Sequence, residues 1–392
     1  MAVYKIFPTQ DATLYSMYPD MNTGLDAIIE ATETSIAPAN PNPQTSRFVI
    51  QFDQTQIDNI ITDKIKTSEW DVNLRCFIAN TTGLELNTTL NVLAISGSWD
   101  MGTGKYLDSP LTTNGVSWNW QKYSGSTVWN VLTPGPNVTS DYNINYAPLG
   151  GGTWYNQIAS GSVNTYLSSS QIYNYSQDKD LNVSVKPIVE CWVSGTVDYY
   201  ATPSDIETTS IPISNTGFIV KQELEWVYNN NYIPEIKFFS IDTNTIYPPQ
   251  LEFKWNDFSY STGSLPPLTS LPAILTLAEN PGTFYTQSIN RFYVNARPEY
   301  PPTVWQTSSA YIQNYTLPTS SYWALKDLDT NEYVIDFDPI YTKLSCDASG
   351  SYFDLYMNGL EPQRYYQILI QTEINGSIIV FDDQYYFKVI NG

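Results

Sequence analysis

The sequence contains no histidine among its 392 residues. This absence excludes Ser-His-Asp and Cys-His catalysis, histidine-ligated zinc or iron, and proton transfer by imidazole. The three cysteines, Cys76, Cys191 and Cys346, are far apart, odd in number and form no CxxC pair. They indicate neither a zinc site nor a disulfide framework. All three lie in apolar runs that are typical of strands, and we expect small buried thiols there.

Basic residues are also scarce. The chain has 18 Lys and Arg against 39 Asp and Glu, a formal net charge of −21, and a pI near 4.1. A polyanion would be repelled, so we expect no nucleic-acid partner and no binding to an anionic membrane surface. No run of 18 apolar residues exists to form a transmembrane helix. The first residues show no apolar signal segment and no cleavage site, which predicts no secretion signal.

Aromatic and turn-forming residues are abundant instead. Aromatics make up 15% of the chain, with 31 Tyr and 11 Trp, and 25 Pro and 20 Gly supply turns. This composition predicts a folded, all-β protein. A charge-poor surface rich in Tyr, Asn and Thr is typical of extracellular or virion proteins. Because no export signal accompanies it, we expect a phage structural protein that is made in the host cytoplasm and incorporated into the virion.

The order of the patterns predicts two β modules. Residues 1–257 form the first module, residues 258–272 are a Ser/Thr/Pro/Gly-rich linker, and residues 273–392 form a second module with the strand spacing of an immunoglobulin- or fibronectin-like β-sandwich. The pattern predicts one clear helix, over residues 56–66. Asn375-Gly376 predicts a tight hairpin turn because both residues tolerate positive φ.

Short motifs recur through the first module in a defined order. Its opening carries Asp11-Ala-Thr-Leu14, Asn22-Thr-Gly24 and Arg47-Phe-Val-Ile-Gln-Phe-Asp53. An apolar strand at residues 90–95 follows, and its later motifs are Trp99-Asp-Met-Gly-Thr-Gly104, Gly115-Val-Ser-Trp118, Trp192-Val-Ser-Gly195, Asn215-Thr-Gly-Phe218 and Pro249-Gln-Leu-Glu-Phe253. In this order they resemble the DNRLRE, or disaggregatase-related, domain. The resemblance covers residues 1–257 and implies a jelly-roll related to carbohydrate-binding modules.

The chain as a whole, and residues 1–53 above all, resembles virion structural proteins of contractile-tailed cyanophages and related marine myophages. That resemblance implies a place in the tail, the neck or collar, or a fibre attachment. The second module carries no comparable domain resemblance.

The long excursion over residues 97–120 holds the first candidate site. It presents Trp99, Tyr106, Trp118 and Trp120 among Gly and Asn. These aromatics are candidates for stacking on a surface glycan or for a protein interface. Packing of the tryptophans into the sandwich is the favoured interpretation, because Trp buries a large area and is seldom left fully exposed.

Oxygen ligands near the start form the second candidate site. Asp11, Asp20, Asn22 and Asp26 are candidates for a structural calcium site, since jelly-roll binding modules often hold this ion. Calcium needs six to eight oxygens from several segments, which a single stretch does not supply. Solvated turn carboxylates are therefore the favoured interpretation. We expect no other metal and no further cofactor.

No motif singles out a pair of catalytic carboxylates, so we expect no catalytic residue and no enzyme. The sequence favours a virion structural component that acts through contacts with other virion proteins, as a homo-oligomer within a symmetric assembly. One alternative is a glycan-binding module for host adhesion. A less favoured alternative is a polysaccharide depolymerase.

Overall fold

The computed structural model describes residues 2–32, 45–84, 87–107, 114–129, 138–139, 150–155, 158–160, 163–165, 167–174, 179–199, 209–223, 234–300 and 313–392. The fold is all-β with sandwich-like sheets, as the composition predicts. In the described part of the chain, no helix is long and apolar enough to cross a membrane.

Two compact units make up the chain. The N-terminal unit consists of Ile6–Lys64 and Asp71–Glu252, and the C-terminal unit consists of Met1–Lys5, Ile65–Trp70 and Phe253–Gly392. In chain order the strands are β1 (Ala2–Ile6), β2 (Gln10–Tyr15), β3 (Ile28–Thr32), β4 (Ser46–Gln51), β5 (Trp70–Cys76), β6 (Ile78–Thr82), β7 (Thr88–Ala94), β8 (Trp120–Lys122), β9 (Thr127–Val128), β10 (Val138–Thr139), β11 (Trp154–Tyr155), β12 (Ile158–Ser160), β13 (Val163–Thr165), β14 (Ser168–Tyr173), β15 (Leu181–Ser184), β16 (Thr196–Tyr199), β17 (Thr209–Pro212), β18 (Phe218–Gln222), β19 (Glu235–Phe239), β20 (Gln250–Trp255), β21 (Ala273–Ala278), β22 (Thr283–Tyr285), β23 (Ile289–Pro298), β24 (Ser321–Asp327), β25 (Tyr333–Ile335), β26 (Ser345–Asp347), β27 (Gly350–Tyr356), β28 (Tyr365–Ile374), β29 (Ser377–Phe381) and β30 (Tyr386–Ile390).

The N-terminal unit contains a large antiparallel sheet. Its strands follow the order β14-β7-β18-β4-β3-β19-β6, and β2 pairs with β4. Strand β4 contains most of the Arg47–Asp53 motif, and its Phe48 ring packs against Phe238 of β19, with ring centroids 5.7 Å apart. Strands that are far apart in sequence therefore share one buried face.

The helix expected at residues 56–66 is present as α1 (Gln54–Asn59) followed by a π-helical turn (Ile60–Lys64). The Asp53 carboxylate caps α1 by accepting a hydrogen bond from the Thr55 N–H at 3.2 Å. Ile57 and Ile60 lie on the buried face, as the apolar spacing predicts.

A second helix, α2 (Lys186–Ser194), replaces the strand-like run expected around Cys191. Pro187 lies in the first turn of the helix, which its fixed φ suits. Buried residues recur at the helical spacing rather than at every second position. Gly195 ends it in the left-handed region, with φ of 71°, and donates its N–H to the Cys191 carbonyl at 2.9 Å. Cys76 and Cys346 do lie on strands, and all three cysteines are buried and form no disulfide, as expected.

The C-terminal unit is a sandwich of two sheets. One sheet has the order β21-β23-β27-β26, and the other has the order β22-β30-β28-β24-β25, with β29 paired to β28. The rings of Phe292 and Phe353 in the first sheet stack at 5.3 Å, and Phe353 stacks on Trp323 of the second sheet at 4.8 Å. This aromatic stack joins the two layers at their centre.

Residues 258–272 make specific contacts within the C-terminal unit. The Tyr260 hydroxyl donates to the Leu317 carbonyl at 2.6 Å, and Leu268 is buried in the core. Val3 lies in the same core, which explains why Met1–Lys5 belongs to this unit. Composition could not indicate that, because the contacts join segments several hundred residues apart.

Candidate functional site

The tryptophans of the 97–120 excursion form part of a buried cluster in the N-terminal unit. Trp99 is 3% exposed and Trp118 is 1% exposed, so neither ring presents a face to a ligand. The Trp99 Nε1 donates to the Thr216 carbonyl at 2.8 Å. The buried cluster consists of Ala12, Leu14, Val49, Ile95, Trp99, Val116, Trp118, Trp129, Trp154 and Ile219.

Arg47 joins the cluster to strand β4. Its guanidinium carbon lies 5.0 Å from the ring centroid of Trp118 and 5.2 Å from that of Trp154. Its Nη1 donates to the Gly151 carbonyl at 2.7 Å. The side chain is buried, so the cation is stabilised by the two indole rings and the carbonyl in place of water.

The Asn22 side chain fastens the excursion to the start of the chain. Its Nδ2 donates to the Met101 and Val116 carbonyls, both at 2.7 Å. Its Oδ1 accepts from the Gly104 N–H at 2.7 Å and the Gly24 N–H at 3.3 Å. Because the amide is buried and all of its hydrogen-bonding capacity is used, Asn22 acts as a structural anchor.

Glycines surround this anchor because no space remains for a side chain. A Cβ on Gly24 would lie 2.2 Å from the Met101 carbonyl oxygen, and one on Gly102 would lie 2.4 Å from Asn22 Oδ1. A Cβ on Gly115 would lie 2.4 Å from the Gly102 Cα. The Asn-x-Gly, Trp-x-x-Gly-x-Gly and Gly-x-x-Trp motifs of the sequence therefore meet at one packed point.

Trp120 lies at the edge of the excursion and is half-buried. Its Nε1 donates to the Asp20 carboxylate at 2.7 Å, and Asn119 Nδ2 donates to the same oxygen at 2.9 Å. Its ring meets the edge of Tyr123, with centroids 5.5 Å apart.

The structure does not bring the four calcium candidates together as a ligand set. Asp20 accepts the two hydrogen bonds just described, and Asn22 is saturated by backbone groups. Asp11 Oδ2 accepts from the Ile241 N–H at 2.7 Å, and the Asp26 carboxylate accepts from a backbone N–H of the excursion. Within the described ranges, no group of three or more Cys, Asp or Glu is placed to hold a metal ion.

Tyr106 is the exposed member of the four aromatic candidates, at 45% exposure. The Asp26 carboxylate fixes its backbone by accepting its N–H at 3.0 Å. Its ring lies 5.0 Å from that of Tyr15 and 5.9 Å from that of Tyr18. The three rings border a pocket of about 140 Å³, which we call the tyrosine pocket; its lining is Tyr15, Met17, Tyr18, Glu30, Thr32, Thr45, Ser46, Tyr106 and Glu235.

Two carboxylates of the tyrosine pocket share one ammonium group. Lys237 Nζ lies 2.7 Å from Glu235 Oε1 and 3.4 Å from Glu30 Oε2. The Tyr15 hydroxyl also bonds to Glu30, and Thr82 Oγ1 donates to Glu235 Oε2 at 2.9 Å. Strands β3 and β19 produce this arrangement, because Glu30 pairs with Lys237 and Thr32 pairs with Glu235 across the sheet.

The two carboxylates differ in their proton affinity. Burial raises the pKa of Glu30 above its usual value, although Lys237 and Tyr15 oppose the shift. Burial would also raise the pKa of Glu235, but the hydrogen bonds from Lys237 and Thr82 outweigh it and lower that pKa. Burial and the Glu30 charge raise the pKa of the Tyr15 phenol, which stays protonated. Glu30 is thus the carboxylate whose charge is least compensated.

The C-terminal unit carries an exposed apolar surface on the outer face of its six-stranded sheet. On β28 the residues Tyr366, Ile368 and Ile370 are buried and point inward. The residues of β29 and β30 that pair with them also point inward, so the residues at the alternate positions of these strands point outward. We call this surface the assembly face; it consists of Tyr285, Tyr365, Ile378, Val380 and Tyr386.

Strand β29 forms an edge of the assembly face. It pairs with β28, and no second strand pairs with it among the described residues. Its sequence, Ser-Ile-Ile-Val-Phe, carries no charge, and Ile378 is 67% exposed. An uncharged, β-branched edge strand can accept a further strand from another chain.

Sequence reasoning missed both of these surfaces. Glu30 and Glu235 lie about two hundred positions apart, and only the pairing of β3 with β19 brings them together. The alternation of Glu30 and Thr32 with Ile29 and Ala31 was a signal for one solvent-facing side of a strand. Nothing in the sequence showed which strand lies beside it.

Comparisons with known proteins give little for this chain. No family model and no curated protein matches it. A DUF4785 family protein from Legionella pneumophila aligns with 99% of this chain and 62% of its own, at 9% identity and a TM-score of 0.16. A beta-glucuronidase from Parabacteroides merdae aligns with 96% of this chain and 36% of its own, at 8% identity and a TM-score of 0.15. This chain thus spans less than two thirds of either protein, and scores this low carry no argument about fold or function.

Proposed function

We propose that this protein is a structural component of a tailed-phage virion, located in the tail, the neck or a fibre attachment. It acts through contacts with other virion proteins and with copies of itself. The observation that carries the proposal is the assembly face, which exposes tyrosines and β-branched residues beside an uncharged edge strand. Tyrosine and apolar side chains of this kind dominate the centres of protein interfaces.

One charge of each sign lies beside the assembly face, in a chain whose net charge is −21: Glu373 pairs with Ile378 across β28 and β29, and Lys388 pairs with Tyr365. The Lys388 Nζ lies 5.5 Å from the Tyr365 ring, where the aromatic face stabilises the cation. A subunit that approaches this face therefore meets a cation as well as an acidic residue, so the repulsion there is weaker than at a purely acidic surface.

The double substitution Ile378→Lys with Val380→Lys tests the proposal. Both side chains are exposed, so the chain should fold, while two ammonium groups should block strand pairing at the edge. Mass spectrometry of purified phage particles should find the wild-type chain and at least about tenfold less of the variant. The matched control is Ile340→Lys, an exposed apolar position of the same unit outside the face, which should be incorporated normally.

Two results would contradict the proposal. Particles that lack the wild-type chain would show that it is not a virion protein. Normal incorporation of the double variant would show that the assembly face is not the contact.

The glycan-binding alternative loses two of its four aromatics, because Trp99 and Trp118 are buried. What favours it is Tyr106, which lies beside two carboxylates in the tyrosine pocket. A depolymerase would need two carboxylates free to act on a glycosidic bond. Glu30 and Glu235 are instead held by the same Lys237 ammonium group, which favours a binding role for the pocket over catalysis.

A further inference from the structure

The tyrosine pocket combines three features that suit a cation. It has aromatic walls from Tyr15, Tyr18 and Tyr106, and ring faces attract ammonium and guanidinium groups. Its two carboxylates, Glu30 and Glu235, share the single ammonium group of Lys237, so this trio carries one net negative charge. It also has threonine and serine hydroxyls that can accept further hydrogen bonds.

The size of the pocket indicates the kind of cation. Pockets that enclose whole small-molecule ligands measure roughly 300–1,000 Å³. The tyrosine pocket measures about 140 Å³, which suits the end of one side chain and is too small for an oligosaccharide.

The state of Glu30 indicates what the pocket lacks. This carboxylate is largely buried, and its nearest cation also bonds to Glu235 at the shorter distance of 2.7 Å. Because Glu30 is largely buried, water solvates its negative charge poorly. A second cation beside Glu30 would stabilise that charge. A sugar hydroxyl would supply a hydrogen bond there but no positive charge.

We propose that the tyrosine pocket binds the basic side chain of a lysine or arginine from a neighbouring virion protein. The charged end lies beside Glu30, and the alkyl stem lies against Tyr106. This inference rests on the proposed function, because it assigns the chemistry of one contact within the assembly. It adds a second contact surface, in the N-terminal unit, to the assembly face of the C-terminal unit.

The test uses the purified full-length chain and three small probes. Nα-acetyl-L-lysine amide carries the ammonium group, Nα,Nε-diacetyl-L-lysine amide is its neutral counterpart, and methyl β-D-glucopyranoside represents a glycan. Ligand-observed NMR titration should show binding of the first probe only. Raising the salt concentration should weaken that binding, because the contact is electrostatic.

Two variants locate the binding at the pocket. Glu30→Gln should weaken binding of the charged probe by about tenfold, since it removes the charged partner and keeps the shape. Tyr106→Ala should weaken it by about threefold, since it removes one ring face. The matched controls Glu279→Gln and Tyr300→Ala alter exposed residues of the C-terminal unit and should leave binding unchanged.

Each other outcome overturns the proposal. Binding of the glucoside in place of the lysine amide would assign the pocket to glycans. Binding of neither probe would leave it without a ligand of this class. Equal losses in Glu30→Gln and Glu279→Gln would show general attraction to an acidic surface. None of these results depends on whether the chain enters particles, so failure here and failure of the proposed function can be told apart.

Discussion

Asp11 is a buried carboxylate with incomplete hydrogen bonding. Its Oδ2 accepts the Ile241 N–H, while its Oδ1 has no partner among the described residues. Burial raises the pKa of Asp11 to about 7; the Ile241 hydrogen bond opposes this shift and the Asp242 charge adds to it. The folded protein therefore holds a proton on Asp11 that the unfolded chain releases at lower pH.

This difference gives a definite sign to the pH dependence. Since the pKa is raised on folding, the folded state binds more protons between about pH 4 and pH 7. The contribution of Asp11 to stability is therefore lost as the pH rises through that window. We expect Asp11→Asn, which keeps an acceptor for Ile241 and removes the charge, to stabilise the protein at pH 8 by on the order of 3 kcal/mol.

Guanidinium denaturation of the variant and the wild type at pH 5, 6, 7 and 8 measures this effect. The difference in free energy of unfolding between them should grow with pH. The exposed control Asp63→Asn should show no such trend. A constant difference between Asp11→Asn and the wild type at all four pH values would falsify the assignment.

At the scale of elements, sequence patterns predicted the features that depend on neighbouring residues alone, such as a helix or a tight turn. The isoleucine spacing predicted the helical segment but not that its second half is a π-helical turn. Asn375-Gly376 forms the expected turn between β28 and β29, with φ of 52° and 76°. The pattern failed at α2, where a short apolar run suits a strand or a helix and only the helical spacing of buried residues distinguishes them. The tyrosine pocket could not be predicted from the sequence, because it depends on which distant strands pair.

The close packing around Asn22 predicts that alanine is costly at Gly24 and tolerated at Gly97, two glycines with ordinary φ. Gly24→Ala places a Cβ against the Met101 backbone carbonyl, which cannot move without opening the anchor. We expect the free energy of unfolding to fall by about 2 kcal/mol or more. Gly97→Ala is the matched control, since its Cβ meets only the end of the flexible Gln121 side chain, and it should cost less than about 1 kcal/mol.

Denaturant titration of both variants checks the order of these two costs. Similar values for Gly24→Ala and Gly97→Ala would mean that the close approach around Asn22 does not constrain the fold.

At the scale of the whole molecule, the net charge of −21 dominates the electrostatics. Like charges repel one another in the compact state, and salt screens that repulsion. We expect the Tm at pH 7.5 to rise by about 3 °C when sodium chloride is raised from 0.01 M to 0.5 M.

The control for this prediction is the same experiment close to the pI of 4.1. There the net charge approaches zero, so the rise in Tm with salt should largely disappear. An equal rise at both pH values would attribute the salt effect to preferential hydration rather than to charge screening.

Strand β29 also determines how the isolated protein behaves in the laboratory. Among the described residues its outer edge pairs with no other strand, and the strand itself carries Ile378 and Val380 but no charged residue. An edge of this kind can pair with identical edges, so we expect the isolated chain to form fibrous precipitates at high concentration. Replacing Ile378 and Val380 by lysine should therefore keep the isolated chain in solution at concentrations where the wild type precipitates.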